Sequence, residues 1–162
     1  MRETYFHIRY LFGRENVWTA VEALLQHDRC GYVVVADGVV LTRVQRDLSF
    51  RKVVQDSLFA ICDSSWVPLY IKAIYGRKRE QYCGFDLMMD GLQQYQKYRM
   101  MFLGSDALTL AGIQRQLYDD GINKAGMTFV ELPFRDIDDF DYAAIAQQIE
   151  EARVDLIWVA LG

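Results

Sequence analysis

Five short apolar runs, rich in β-branched and aromatic residues and separated by longer stretches of helical period, constrain this chain more than any other feature. They are Tyr32–Ala36 (YVVVA), Leu58–Cys62 (LFAIC), Met100–Leu103 (MMFL), Met127–Leu132 (MTFVEL) and Leu156–Leu161 (LIWVAL). Apolar character this continuous belongs to strands covered on both faces, and strands alternating with helices build βαβ units around a parallel sheet. A weaker early segment, Tyr5–Leu11, reads as an edge strand or a hairpin arm. Between the runs, Asn16 or Thr19 can cap a helix with Trp18, Val21, Leu24 and Leu25 on one face. Further helices are expected over Asp47–Gln55, Ser65–Tyr75, Asp86–Tyr98, Asp106–Asp119 and Tyr142–Ala152, with Gly76 and Gly121 as stops. The expected fold class is α/β: a Rossmann-like open, mostly parallel sheet with helices on both faces, in a single domain over residues 1–162.

Composition bounds the function. With 162 residues, 52% hydrophobic and only 2 prolines, the chain can bury one core and is not intrinsically disordered. A net charge of -4 argues against a broad nucleic-acid-binding surface, so no nucleic-acid partner is expected. The three cysteines, Cys30, Cys62 and Cys83, lack Cys-x-x-Cys spacing, which suggests neither a disulfide framework nor a zinc knuckle and fits a cytoplasmic setting. His7 and His27 lie away from the strand ends and are assigned to no metal or catalytic group. No apolar run approaches the roughly 18 residues of a membrane span.

In an open α/β sheet, ligands bind beyond the carboxyl ends of the strands, so the residues at those ends are the site candidates. They are Asp37-Gly38, Asp63-Ser64-Ser65, Gly104-Ser105-Asp106 and Pro133-Phe134. Asp63 can act as a general base on a sugar hydroxyl, or Asp63 or Ser64 can simply cap the helix through Trp66 and Leu69; capping is the simpler account. Asp37-Gly38 reads first as a turn dipeptide. Gly104-Ser105 offers backbone amides to a phosphate, or an ordinary capped loop, and lacks the spacing of a P-loop or dinucleotide site. The run Asp136-Ile137-Asp138-Asp139-Phe140-Asp141 contains an Asp-x-Asp pattern of the kind that holds a metal under a sugar diphosphate, but it precedes the helix starting near Tyr142, and capping is again simpler. The run Arg77-Lys78-Arg79 ends a helix rich in aromatic residues, either as a solvated end or as a contact with anionic lipid.

Five segments, in order and spacing, resemble the WecG/TagA/CpsF glycosyltransferase family. They are YVVVADGVVLTRVQRDLSFR, CDSSWVPLYIKAIYG, YCGFDLMMDGL, MMFLGSDALTLAGIQRQL and IEEARVDLIWVALG, between Tyr32 and Gly162. The resemblance implies transfer of an N-acetylmannosamine-type sugar from a UDP-sugar donor to a lipid-diphosphate-linked acceptor in bacterial surface polysaccharide synthesis. It also implies inversion and no required metal or cofactor. It puts Asp63 on the catalytic base, Val35 and Asp37 on a pocket threonine and asparagine, Gly84 and Asp86 on a Gly-x-Asp pair, and Gly104 and Ser105 on a phosphate-side loop, with Ser64 beside the base.

The departures are equally specific. Val35-Ala36-Asp37 stands where the family has Thr-x-Asn, so a hydroxyl is lost and an amide has become a carboxylate. Ser64 replaces a glycine, and Gln81 sits about where the family often has an arginine. The family continues past Gly162 with a Pro-x-Gln-Glu segment and a basic part that meets the membrane, so the chain is expected to be a fragment. A peripheral place at the inner membrane face, through that missing part, is the corresponding expectation, and a homo-oligomer is compatible with it. The alternative to an enzyme is a non-catalytic nucleotide-sugar or protein-binding module of the same fold.

Overall fold

Residues 2–11 take the hairpin-arm alternative of the two the sequence left open. In the computed structural model, which describes residues 2–27, 30–132 and 134–160, they form a hairpin of β1 (Arg2–Tyr5) and β2 (Ile8–Leu11). Phe6 and His7 turn it with φ of 53° and 66°, the positive values that a two-residue turn matched to strand twist requires. The remaining elements are α1 (Arg14–Gln26), β3 (Val33–Ala36), α2 (Gly38–Arg46), α3 (Leu48–Asp56), β4 (Phe59–Cys62), α4 (Trp66–Tyr75), α5 (Gly84–Gln94), β5 (Met100–Gly104), α6 (Ala107–Asp119), β6 (Met127–Val130), a 3-10 turn (Ile137–Asp139), α7 (Tyr142–Ala152) and β7 (Leu156–Ala160). This is an open α/β fold. The chain divides into two compact units, Met1–Leu87 and Met88–Gly162, and the division falls inside α5.

In the first unit the sheet order is β1-β2-β4-β3. Only the hairpin pair is antiparallel; β2 and β3 both run parallel to β4, as strands joined by helical crossovers must. All four residues of β4 are buried. Ala36, Val44, Val54, Ala60, Cys62, Val67 and Ile71 share one core with Tyr5, Ile8 and Tyr10, which joins β2, β3 and β4 to α2, α3 and α4.

Helix α2 corrects the sequence reading of Asp37-Gly38 as a turn. The Asp37 carboxylate accepts the Val40 amide at 2.8 Å and starts a helix at Gly38. The β-branched pair Val39-Val40 reads locally as strand, but Leu41 and Val44 lie on one helical stripe, and Val44 is fully buried. Asp47 then ends α2 and starts α3 by accepting the Phe50 amide at 2.9 Å. Helix α1 also begins differently from expectation: Gly13 is its N-cap, with φ 88° and no side-chain cap bond, while Asn16 and Thr19 donate to the carbonyls of Phe12 and Glu15.

The second unit has the order β6-β5-β7, parallel throughout. Its central strand β5 is buried along its whole length, and the Phe102 and Phe129 rings stack at 4.9 Å across the β5–β6 pair. Asp106 starts α6 by accepting the Thr109 amide, and Asp141 starts α7 by accepting that of Ala144. Asp136 likewise accepts the Ile137 amide, so the acidic run before α7 behaves as turn and cap chemistry. Pro133, one of the strand-end candidates, lies outside the described residues, as does the end of the expected last strand at Leu161.

Candidate functional site

Parallel pairing sets Val35 against Ile61 and Ala36 against Cys62. Side chains alternate along strands, so Ala36 and Cys62 point into the core shared with α2 and α4, and Val35, Ile61 and the following Asp63 belong to the opposite face. The backbone of Asp63 extends the ladder by one step, its amide donating to the Ala36 carbonyl at 3.1 Å. Its carboxylate does not cap α4. One oxygen, Oδ1, accepts the Gly84 amide at 2.7 Å, from the first residue of α5. The other has no hydrogen bond among the described residues, and the side chain is half-buried. The local capping role at α4 falls instead to Ser64, whose Oγ accepts the Trp66 amide at 3.3 Å.

Gly84 reaches Asp63 because the aperiodic segment before it is pinned to the tip of β4. The Tyr82 amide donates to the Cys62 carbonyl at 3.0 Å, and the buried Tyr82 hydroxyl accepts the Trp18 indole N–H at 2.9 Å. Gly84 also packs on Val35: a Cβ at position 84 would sit 2.9 Å from Val35 Cγ1. Val35, Asp63 and Gly84 therefore meet, with Asp37 two positions beyond Val35, occupied as the cap of α2. Neither Tyr82 nor Trp18 is visible as a site residue from sequence, because a pinning contact between residues 64 apart leaves no periodic trace.

Asp86 is engaged locally. The Cys83 thiol donates to its Oδ2 at 3.0 Å, and the Asp86 amide returns to Cys83 Sγ at 3.5 Å, a reciprocal cap with sulfur in the place of a hydroxyl. That bond to Asp86, followed by burial, pushes the Cys83 thiol above its ordinary range. A cleft of about 320 Å³ opens beside this turn, lined by Gly13, Arg14, Glu80, Gln81, Tyr82 and Asp86. Arg14 contributes a cation to it from the start of α1.

Residues 10–162 match the glycosyl transferase WecG/TagA/CpsF family. The chain belongs to that family. No curated protein matches it. The match establishes a glycosyltransferase and spans every residue in the Asp63 cluster.

Gly104 and Ser105 lie in the second unit. Gly104 ends β5 with φ 122°, and a Cβ there would stand 2.0 Å from the Ala160 carbonyl oxygen, so only glycine fits. Ser105 follows with φ 63°, and Asp106 spends its carboxylate on the Thr109 amide at 2.7 Å. That amide bond holds Asp106 below the usual carboxylate range. The helix start after this loop is thus capped by the chain's own anion.

Proposed function

We propose that this glycosyltransferase moves an N-acetylmannosamine-type sugar from a UDP-sugar to a lipid-diphosphate-linked acceptor, with Asp63 as general base. The observation that carries the reading is the hold on Asp63: its backbone is tied to β3, one carboxylate oxygen is tied to the Gly84 amide, and the second is left unbonded at a half-buried strand end. A base needs that combination of fixed orientation and an accessible lone pair. As the acceptor hydroxyl oxygen attacks the anomeric carbon, its proton passes to Asp63. The bond from that carbon to the diphosphate breaks, and UDP leaves with the electron pair. A single displacement of this kind inverts the anomeric centre. No metal and no cofactor are invoked.

The test is Asp63→Asn, an isostere that can still accept the Gly84 amide but cannot take a proton. Transfer, followed by chromatography of the glycosylated lipid, is expected to fall roughly 10² to 10⁴-fold, the usual worth of a general base. Full activity in the variant removes Asp63 from the mechanism. Calorimetric binding of UDP-sugar without turnover in the full-length protein points instead to a non-catalytic binding module.

A further inference from the structure

Helix α4 turns one face into the core and leaves an apolar face uncovered. Val67 and Ile71 are fully buried, whereas Trp66 is 64%, Leu69 54%, Tyr70 47% and Ile74 64% exposed. With Ala73, also exposed, these residues follow the spacing i, i+3, i+4, i+7, i+8 of a single helical stripe. The Trp66 and Tyr70 rings stack at 6.5 Å on that stripe. Such a run of large apolar groups on a surface signals a binding face rather than ordinary scatter.

Charge indicates what the face binds. The chain carries a net charge of -4, yet from Trp66 to Arg79 there is no acidic residue and four cations, Lys72, Arg77, Lys78 and Arg79. Arg79 is engaged by Glu3. Lys72, Arg77 and Lys78 are exposed and have no ion pair among the described residues. Gly76, in the left-handed conformation at φ 66°, ends α4 and sets the basic run directly beyond the stripe. Tryptophan and tyrosine with aliphatic neighbours favour the boundary between headgroups and acyl chains, and basic residues beside them are drawn to anionic headgroups. A second copy of the chain is the other occupant an apolar stripe could take, and the self-association arm of the test below separates it from lipid.

We propose that the Trp66–Ile74 face of α4 docks on an anionic lipid surface, with the aromatic and aliphatic groups in the interface and Arg77 and Lys78 on the headgroup phosphates. Docking is a property of α4 and stands without the transfer chemistry. If both hold, their connection is positional: Trp66 follows Asp63 by three positions, so a docked α4 brings the base to the surface where a lipid-linked acceptor resides.

The test uses the whole chain in flotation with vesicles of phosphatidylcholine alone or mixed with phosphatidylglycerol. Binding is expected only to the mixed vesicles, weakening as salt is raised. Arg77→Gln with Lys78→Gln, which removes no core contact, is expected to weaken binding about thirty-fold. Brominated acyl chains should quench tryptophan emission in the unaltered chain and much less in Trp66→Phe. The proposal is overturned if a natively folded chain ignores anionic vesicles, or if it binds them equally with and without the two cations. It is also overturned if sedimentation shows lipid-free self-association that Ile74→Ser abolishes, since the face then belongs to a second copy. None of these readouts measures sugar transfer, so docking can fail while the role of Asp63 stands, and the reverse.

Discussion

The tips of β4 and β5 begin alike and end differently. Both strands are wholly buried, and each runs into a short loop that carries a carboxylate and then a helix. At the β5 tip, Asp106 accepts the amide of Thr109, three residues on, and is thereby a cap. At the β4 tip, Asp63 accepts the amide of Gly84, 21 residues on, and leaves the start of its own helix to Ser64. A carboxylate with a local partner stabilises an element. One held by a distant amide is oriented by the tertiary fold, and its remaining oxygen makes no hydrogen bond among the described residues.

The sharpest way to break this contrast is to remove each acid in turn. Asp63→Asn should reduce transfer by roughly 10² to 10⁴, whereas Asp106→Asn, which still caps α6, should leave transfer within about three-fold. Equal losses in the same lipid-glycosylation assay would mean that the tips do not differ in role. Next in size is a backbone effect. Gly104→Ala drives a Cβ to 2.0 Å from a main-chain oxygen at φ 122°, and should cost about 3 kcal/mol or more in denaturant unfolding. Gly84→Ala meets only the Val35 side chain at 2.9 Å, a partly exposed group able to rotate, and should cost about 1 kcal/mol or less. A reversed order would show that the rigid tip had been misidentified.

Smaller effects refine the picture around β3. Asp37→Ala removes the cap of α2 and should lower stability by about 1 kcal/mol, while Asp37→Asn, an equally good cap, should leave the thermal midpoint nearly unchanged. The Asn variant also removes a negative charge near Asp63, so the KM for a UDP-sugar should fall if Asp37 faces the donor; an unchanged KM confines Asp37 to capping. The smallest effect is on the acid side. Asp47 is held at about 2 by its bond from the Phe50 amide, then by Ser49, and Glu3 is lowered by Arg79 and then Tyr5. Their folded values lie below the ordinary ones, so their stabilisation is in place above about pH 5 and is lost as pH falls, for Asp47 through about 2. Denaturant midpoints from pH 7 downward should hold to about 5 and then drop. Asp47→Ser, which keeps the cap without a titrating group, should flatten that drop.

The strands were legible in the sequence because a buried parallel strand announces itself over four or five adjacent residues, as VVVA and FAIC do. Helix ends at Gly76 and Asp106 were legible for the same reason: cap chemistry acts within one turn. Helix α2 was not, since Val39 and Val40 favour strand locally, and the helix is selected by the Asp37 cap together with packing of Val44, Val40 and Leu41 on the core. The β1–β2 hairpin was half legible, its turn resting on positive φ at Phe6 and His7, residues that seldom adopt it. Within the site, Asp63 stood out as a strand-end acid and Gly84 through a family resemblance, but nothing in the sequence joined them.

The amino-acid sequence by itself determined the alternation of strands and helices, the caps at Asp47, Asp106 and Asp141, and the family, because each depends on near neighbours or on ordered segments. Only the tertiary structure decided that Asp63 would serve no helix of its own and would instead meet the amide of Gly84. That outcome depends on Tyr82 being pinned to Cys62 and Trp18, contacts between residues far apart in the chain. A backbone amide carries no side-chain signature, so a bond made by one is absent from the sequence until folding brings its acceptor into reach.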